Sequence, residues 1–404
     1  MPHERRRHLT AVLEHLAKLS PLVGLLGHRQ VGKTTLLEAI SRHYLSLDDE
    51  THVNAANSDP KAFVAAHRFL GTAIDECQLS PKLFPALKER VRLDKRPGQF
   101  YLSGSVRFTS KKMIQESLTG RIMSVELLPM TLSELDRQPL PEHLSRLFRV
   151  RRWEDSGFGI LGAREHGRRM RLIEQYEVRG GLPGACFIRQ EKLRALKLMQ
   201  QLETILDRDL RQVQATTLTL PDLLRYVRRL ADNDGDPIQY QALKRATGIT
   251  PPTQKKLLFA LEATFILRHV PLEGDFHGSA LFFEDHAEAS VLAQTPITPD
   301  RRWEGLVYRN LREQVFYQLG ENVSFFQYRT RGGARVPFAI RSAESTLGFI
   351  PLLGAPTRMA IAAAQSFLRK YVNGRVILIT DENTLRVIDD RTLLVPATQI
   401  LFPG

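Results

Sequence analysis

Cysteine is almost missing from this chain. Cys77 and Cys186 are the two present among 404 residues. They are too few for a disulfide framework, and their scarcity predicts a reducing compartment. Long apolar runs are missing too. None approaches the roughly 20 residues that a membrane helix needs, and no apolar block of signal-peptide length follows the basic start, Met1 to Arg7. A soluble cytoplasmic protein with no membrane partner is expected. There is no internal repeat and no low-complexity tract. Hydrophobic residues at 43% and charged residues at 25% exclude wholesale disorder, a collagen-like chain and a coiled-coil rod. Acid is in deficit: 57 Lys and Arg stand against 44 Asp and Glu, a formal charge of +13. That balance favours polyanionic partners, nucleotide or nucleic acid, but a plain basic surface would read the same way.

Within this composition, residues 9–137 alternate short apolar runs with helical patterns. Leu22–Leu26, Tyr44–Leu47, Phe69–Ile74, Phe100–Leu102 and Ile122–Leu128 read as strands. Alternating strand and helix predicts an α/β fold, a parallel sheet covered by helices. Residues 142–293 read as mainly helical, and 301–404 return to mixed α/β. Strands are expected there at Val323–Tyr328, Val336–Ile340, Gly348–Leu353 and Val376–Thr380. Joints fall at Arg137–Pro141 and Gln294–Asp300, and Thr330–Arg335 reads as a tight turn. The expected units are a P-loop core at 1–137, a helical lid or linker at 138–222, a third module at 223–294 and a smaller α/β domain at 295–404.

The first run ends in a phosphate-binding pattern. Gly27-His28-Arg29-Gln30-Val31-Gly32-Lys33-Thr34 fits G-x-x-x-x-G-K-[ST], after a predicted strand and at the head of a predicted helix. The glycines let successive N–H groups turn inward as an anion cradle, and the helix N-terminus adds its dipole. Lys33 is expected to reach the β- and γ-phosphates, and the Thr34 hydroxyl to ligate Mg²⁺; Thr35 completes the block. Such a loop needs an acid to orient the metal. Asp75, after a strand candidate, is the expected Mg²⁺ holder, and Glu76 the group that polarises the attacking water. Ser103 and Ser105 end another strand. They suit either a hydrogen bond to that water or the γ-phosphate, or a plain cap or turn. ATP and Mg²⁺ are the expected cofactors, and ATP hydrolysis the expected activity.

Three blocks carry a resemblance: Gly27 to Leu37, Ile74 to Pro81, and Leu102 to Ser105 with Glu116 to Arg121. Together they resemble the prokaryotic AAA-type ATPases with a C-terminal domain of unknown function, a group allied to the archaeal ATPases and the STAND NTPases. The resemblance continues through Arg179-Gly180-Gly181-Leu182-Pro183 and Asp207-Arg208-Asp209-Leu210. It implies that Arg121 senses the γ-phosphate and that Pro183, in a Gly-x-Pro signature, lies near adenine; a surface salt bridge and a helix-connecting turn are the plain alternatives. It leaves open whether Arg121 acts in its own chain or across a homo-oligomer.

Residues Leu223 to Val270 read as a helix-turn-helix with a winged ending. Thr253, Gln254, Lys255 and Lys256 open the candidate recognition helix, where polar and basic groups suit DNA. The pattern fits a packing module as well, and we favour packing. The C-terminal part resembles a restriction-endonuclease-like domain. Its first expected metal strand carries Pro337 where an acid is needed, and Phe349–Gly354 offers neither acid nor lysine. Glu304 alone remains of the acid set, so no nuclease chemistry is expected. The sequence thus points to an ATP-driven switch or remodeller, with DNA a candidate partner. A nucleotide-gated scaffold and an ATP-tuned DNA-binding regulator stand as the alternatives.

Overall fold

The computed structural model describes residues 5–107, 120–150, 152–319, 323–343 and 345–403. Glu116 to Thr119, part of the third block, lie outside the described residues. Among the described residues two sheets form. The first contains β1 (Leu22–Gly27), β2 (His43–Ser46), β3 (Thr72–Asp75), β4 (Phe100–Gly104) and β5 (Ile122–Leu127), in the order β2-β3-β4-β1-β5. Every pairing is parallel. β1 shows why the sequence folds this way. Leu22 and Leu26 pack into the core on one face, Val23 and Leu25 into the core on the other. A strand apolar on both faces belongs in the middle of a parallel sheet covered by helices.

The expected strand at Phe69–Ile74 begins three residues later. The Thr72 hydroxyl donates to the Phe69 carbonyl at 2.9 Å and closes a turn there, and Phe69 and Leu70 are exposed.

The second sheet is mixed. It joins β6 (Leu267–Gly274), β7 (Ser279–Phe283), β8 (Ser324–Arg329), β9 (Arg335–Arg341), β10 (Thr346–Leu352), β11 (Gly374–Thr380), β12 (Arg386–Asp389) and β13 (Thr392–Pro396), in the order β12-β13-β11-β10-β9-β8-β6-β7. Side chains alternate as the pleat requires: Ile377 and Ile379 enter one core, Val376 and Leu378 the other. The sheet crosses the expected boundary at 294, because Leu272–Gly274 of β6 pairs in parallel with Gln327–Arg329 of β8.

The expected lid at 138–222 also divides. Leu144, Leu147, Trp153, Ile173 and Tyr176 bury against Trp303, Phe338 and Ile377 of the C-terminal body. Leu182, Ala185 and Leu198 instead join Val31 and Leu37 beside the phosphate loop. Between the two bodies stand the helices Leu220–Ala231, Tyr240–Thr247 and Pro251–Ala263, followed by the β6–β7 hairpin. No helix among the described residues is long and apolar enough to cross a membrane.

Candidate functional site

The parallel register sets β1, β3 and β4 side by side, so Gly27, Asp75 and Gly104 finish at the same edge. Ligands bind at such carboxyl ends in open α/β sheets. The loop from Gly27 leads into the helix Lys33–Ile40. Gly32 holds φ +99° at its N-cap, a conformation costly to any residue with a Cβ. At Gly27 a Cβ would fall 2.5 Å from the Leu127 carbonyl oxygen.

Lys33 is buried and folds back over this loop. Its Nζ donates to the carbonyls of Gly27 and His28, both at 2.9 Å. Burial lowers its pKa, against the pull of Glu76 and Asp75. Asp75 is the centre of the site and 2% exposed. Its Oδ2 accepts from Thr34 Oγ1 at 2.6 Å and from the Tyr44 hydroxyl at 2.8 Å. Its Oδ1 accepts from the Glu76 N–H at 3.0 Å and from Ser103 Oγ.

Glu76 stands at φ +55°, left-handed for a non-glycine residue. Such backbone strain clusters at active sites. Its Oε2 accepts from the Gln78 amide and, at 3.4 Å, from Ser105 Oγ. Burial raises its pKa above the ordinary carboxylate value, with Lys33 opposing. The two serines thus hold the two acids, Ser103 on Asp75 and Ser105 on Glu76. Thr35 is exposed on the first helical turn.

Other parts of the chain brace the loop. Arg7 Nη1 donates to the Val31 carbonyl at 2.8 Å, while its Nε meets Glu134 Oε1 at 3.0 Å. Gln201 Nε2 donates to the Arg29 carbonyl at 2.9 Å, and Arg29 Nη1 reaches Asp209 Oδ2 at 3.4 Å. The His28 side chain turns away from the cradle. Its Nδ1 donates to the Arg29 carbonyl at 2.7 Å, and its Nε2 faces Glu288 Oε2 at 3.1 Å, both residues buried. Burial opposes the imidazolium, but Glu288 outweighs it, and the His28 pKa rises. Glu288 sits on the helix His286–Leu292, beyond the hairpin. Asp285 caps that helix and also accepts from the Gly181 N–H at 2.7 Å. Pro183 stands beside the loop, 3.8 Å from where a Gly32 Cβ would lie, and Gln30 packs against Gly184.

Sequence reading missed Arg7, Tyr44, Gln201, Asp285 and Glu288. Only tertiary packing brings Arg7, Gln201 and Glu288 to the loop, Tyr44 to Asp75 and Asp285 to Gly181. Gln78 and Asp209 lay inside quoted blocks, but nothing in their spacing gave them a task.

Arg121 precedes Ile122, which pairs with Leu22 at the amino end of β1, whereas the phosphate loop follows Gly27. Five residue steps of about 3.3 Å separate those ends, roughly 16 Å. Within one chain Arg121 lies at the opposite edge of the sheet from the phosphate loop. Gln254, at the head of the candidate recognition helix, is fully buried, as a packing module would have it. Its amide donates to the Ile249 carbonyl at 2.7 Å and to the Tyr240 carbonyl at 3.1 Å, fixing the turn between two helices. Lys255 and Lys256 remain exposed.

Residues 19–136 match the family model of the AAA domain. The match supports a P-loop ATPase family and covers the whole first sheet and every site residue that it carries. Beyond the AAA domain, residues 170–273 match a domain of unknown function, DUF8612. Uncharacterized proteins of Mycobacterium tuberculosis and Mycobacterium bovis are each 27% identical over 99% of this chain and 85% of their own length. Among solved structures, the Walker-type ATPase PABY2304 of Pyrococcus abyssi aligns over 70% of this chain and 94% of its own, at 16% identity and a TM-score of 0.41. Protein VC1899 of Vibrio cholerae aligns over 93% and 94%, at 12% identity and a TM-score of 0.21.

Proposed function

We propose that the AAA domain binds ATP with Mg²⁺ and hydrolyses it, and that the nucleotide state is passed to the C-terminal body as a switch. The observation that carries this reading is the Asp75 centre. A buried carboxylate holds the phosphate-loop threonine at 2.6 Å, with Glu76 next in sequence and Lys33 beside both. Thr34 Oγ1 and Asp75 Oδ2 are neighbouring hard oxygens, the donor type that Mg²⁺ takes, and they would hold the ion. When bound, the ion neutralises charge on the phosphate oxygens.

Lys33 gives up its two carbonyls for phosphate oxygens, whose negative charge offsets its burial. Glu76 orients a water and accepts its proton, and burial makes its carboxylate a stronger base than a solvated one. Gln78 and Ser105 fix that carboxylate, and Ser103 fixes Asp75. The route outward is His28 to Glu288 and Gly181 to Asp285, which ties the loop and the 180–183 turn to one helix.

Phosphate release by the full chain, with Mg²⁺ and with a chelator, tests the reading. Metal-dependent turnover is expected. Binding without turnover would favour a nucleotide-gated scaffold, and no binding in calorimetry would sink the assignment.

A second reading, ATP-tuned DNA binding, rests on Lys255 and Lys256 with Lys244 and Arg245. All four are exposed on two successive helices in a stretch, 237–261, that contains no acid. Three helices and a hairpin suit a winged helix, but β6 is built into the second sheet, and this favours a packing role. Binding of the full chain to duplex DNA that weakens steeply with salt would support the DNA reading. Arg121 belongs to a third question. If the chain self-assembles, a mixture of Arg121→Ala and Lys33→Ala chains should regain turnover that neither has alone.

A further inference from the structure

Three titratable side chains meet where the start of the chain touches the C-terminal body. His8 precedes the helix Leu9–Leu16, whose Leu9 and Leu13 pack with Val31 and Leu37 beside the phosphate loop. Glu134 belongs to the short helix Leu132–Leu135. Glu313 is near the end of the helix Pro299–Gln314, whose Leu306 and Leu311 join Phe338 and Ile377 in the C-terminal core. One donor atom from each of the three lies within 4.8 Å of the others, the one such grouping of His, Cys, Asp or Glu among the described residues. The side chains of Glu134, Glu313 and His8 are 0%, 2% and 7% exposed. A histidine and two acids this deep in the protein are not a solvated surface cluster.

Each residue is anchored from outside the cluster. His8 Nε2 lies 2.8 Å from the Gln138 carbonyl, which can only accept, so Nε2 carries a proton. A neutral ring then turns the lone pair of Nδ1 toward Glu313 Oε1, 3.0 Å away. The other Glu313 oxygen accepts from Thr131 Oγ1 at 2.7 Å. Glu134 Oε1 accepts from Arg7 Nε at 3.0 Å and from the His8 N–H at 2.8 Å, and its Oε2 from the Thr131 N–H at 3.4 Å. A ring N–H on a backbone carbonyl and a hydroxyl on a carboxylate are the outer partners that orient metal ligands. Two acceptors 3.0 Å apart need a cation between them, a proton or a metal ion. Ligands about 2.1 Å from one ion stand roughly 3.0–3.4 Å apart at angles between square and tetrahedral. Charge leaves room for the ion, since two carboxylates face one guanidinium, that of Arg7.

We propose that His8 Nδ1, Glu134 and Glu313 hold one divalent transition-metal ion of the zinc class, which clamps the AAA domain to the C-terminal body. One imidazole nitrogen with two carboxylate oxygens is a donor set that Zn²⁺ takes, with water in the fourth position. Mg²⁺ prefers oxygen throughout and is the poorer fit. The ligands come from three separate segments, so the ion joins the start of the chain, the end of the AAA domain and the main helix of the C-terminal core. Arg7 shares Glu134 and also donates to the Val31 carbonyl, which sets the clamp beside a brace of the phosphate loop. The clamp does not use the Thr34 and Asp75 oxygens and stands apart from the nucleotide reading.

The test uses the full chain, stripped with a chelator and titrated with ZnCl₂ by calorimetry in the absence of nucleotide. One Zn²⁺ per chain is expected to bind. At about 100 times the dissociation constant it should raise the melting temperature by about 3 °C or more. His8→Ala and Glu313→Gln should each weaken Zn²⁺ binding by about 10²-fold or more, at or beyond the loss that follows removal of an outer partner. Asp75→Asn should leave Zn²⁺ affinity within about twofold, which separates this cluster from the nucleotide site. Co²⁺ in place of Zn²⁺ should give the wild type visible absorption bands that His8→Ala loses. A wild type without a saturable Zn²⁺ site would overturn the clamp and leave a shared proton as the link between His8 and Glu313. That titration needs no substitution, and it decides the matter should a variant fail to fold. Unchanged affinity in folded His8→Ala and Glu313→Gln would overturn the clamp as well. Loss of binding in Asp75→Asn with retention in the other two would move the ion to the nucleotide site.

Discussion

Parallel strands end together in both sheets, yet the two edges are chemically unlike. In the first sheet β1, β3 and β4 run out into Gly27-His28, Asp75-Glu76 and Ser103-Gly104-Ser105. Their polar groups bond to side chains that a ligand can replace: Lys33 on two carbonyls, Thr34 on Asp75. In the second sheet β10, β11 and β13 run out into Leu353-Gly354, Asp381-Glu382 and Ala397. There the polar groups at the end of β11 bond to the backbone of the neighbouring loop after β10. Asp381 accepts from the Gly354 N–H at 2.6 Å, and the Thr380 hydroxyl donates to the Gly354 carbonyl at 2.8 Å. Glu304, the one acid of the expected metal set, is closed by a two-pronged pair with Arg335. Parallel topology supplies a place for a ligand, and the donor set decides whether anything is done there.

The sharpest way to break this contrast is to remove the cation from the first edge. Lys33→Ala should weaken ATP binding by 10²-fold or more, on the scale of losing a charge-assisted contact made twice over. Circular dichroism should stay unchanged, since the ammonium holds only loop carbonyls. Next comes Glu76→Gln, which keeps size and hydrogen bonding. Turnover should fall by about 10²-fold with ATP affinity retained, the range for a lost general base; wild-type turnover would mean that another group takes the proton.

At the second edge the same kind of substitution should cost stability and no nucleotide function. Glu304→Ala leaves Arg335 largely buried without its partner. A loss of about 3 kcal/mol is expected in urea unfolding, with ATP affinity within twofold of wild type. An equal fall in ATP affinity would show that the two edges are not independent.

The smallest effect concerns His28 and Glu288. Burial raises the Glu288 pKa, and Glu288 raises that of His28, so the native state holds protons to higher pH than the unfolded chain does. Their contribution to stability is full below the unfolded values, near 4.5 for Glu288 and 6.5 for His28. It is lost as pH rises through the raised native values. Melting temperatures between pH 5 and pH 8 should therefore fall more for wild type than for Glu288→Gln, by about 2 °C.

Much of the first sheet was readable because β1, β3 and β4 are short buried runs that end in Gly, an acid or Ser-Gly. The site's acids and phosphate loop were readable because their spacing is local. The second sheet was harder. β12 was missed because it is a four-residue edge strand with mostly exposed side chains, and β13 was missed although its five residues are all buried. The pairing of β6 with β8 joins segments more than fifty residues apart, and no periodicity announces it. Gln254 shows a polar residue at a promising position that is spent on backbone carbonyls.

The sequence by itself determined the cradle, because glycines that tolerate left-handed backbone, a lysine and a threonine sit within eight consecutive positions after an apolar strand. It also determined that Asp75 and Glu76 follow a strand of the same sheet. Tertiary structure alone decided which cations stand near them. Arg121 is carried to the far edge because parallel strands all start at the same end. Arg29 is held at the site because one buried carboxylate, Asp209, 180 positions further along the chain, is stabilised only when a cation faces it.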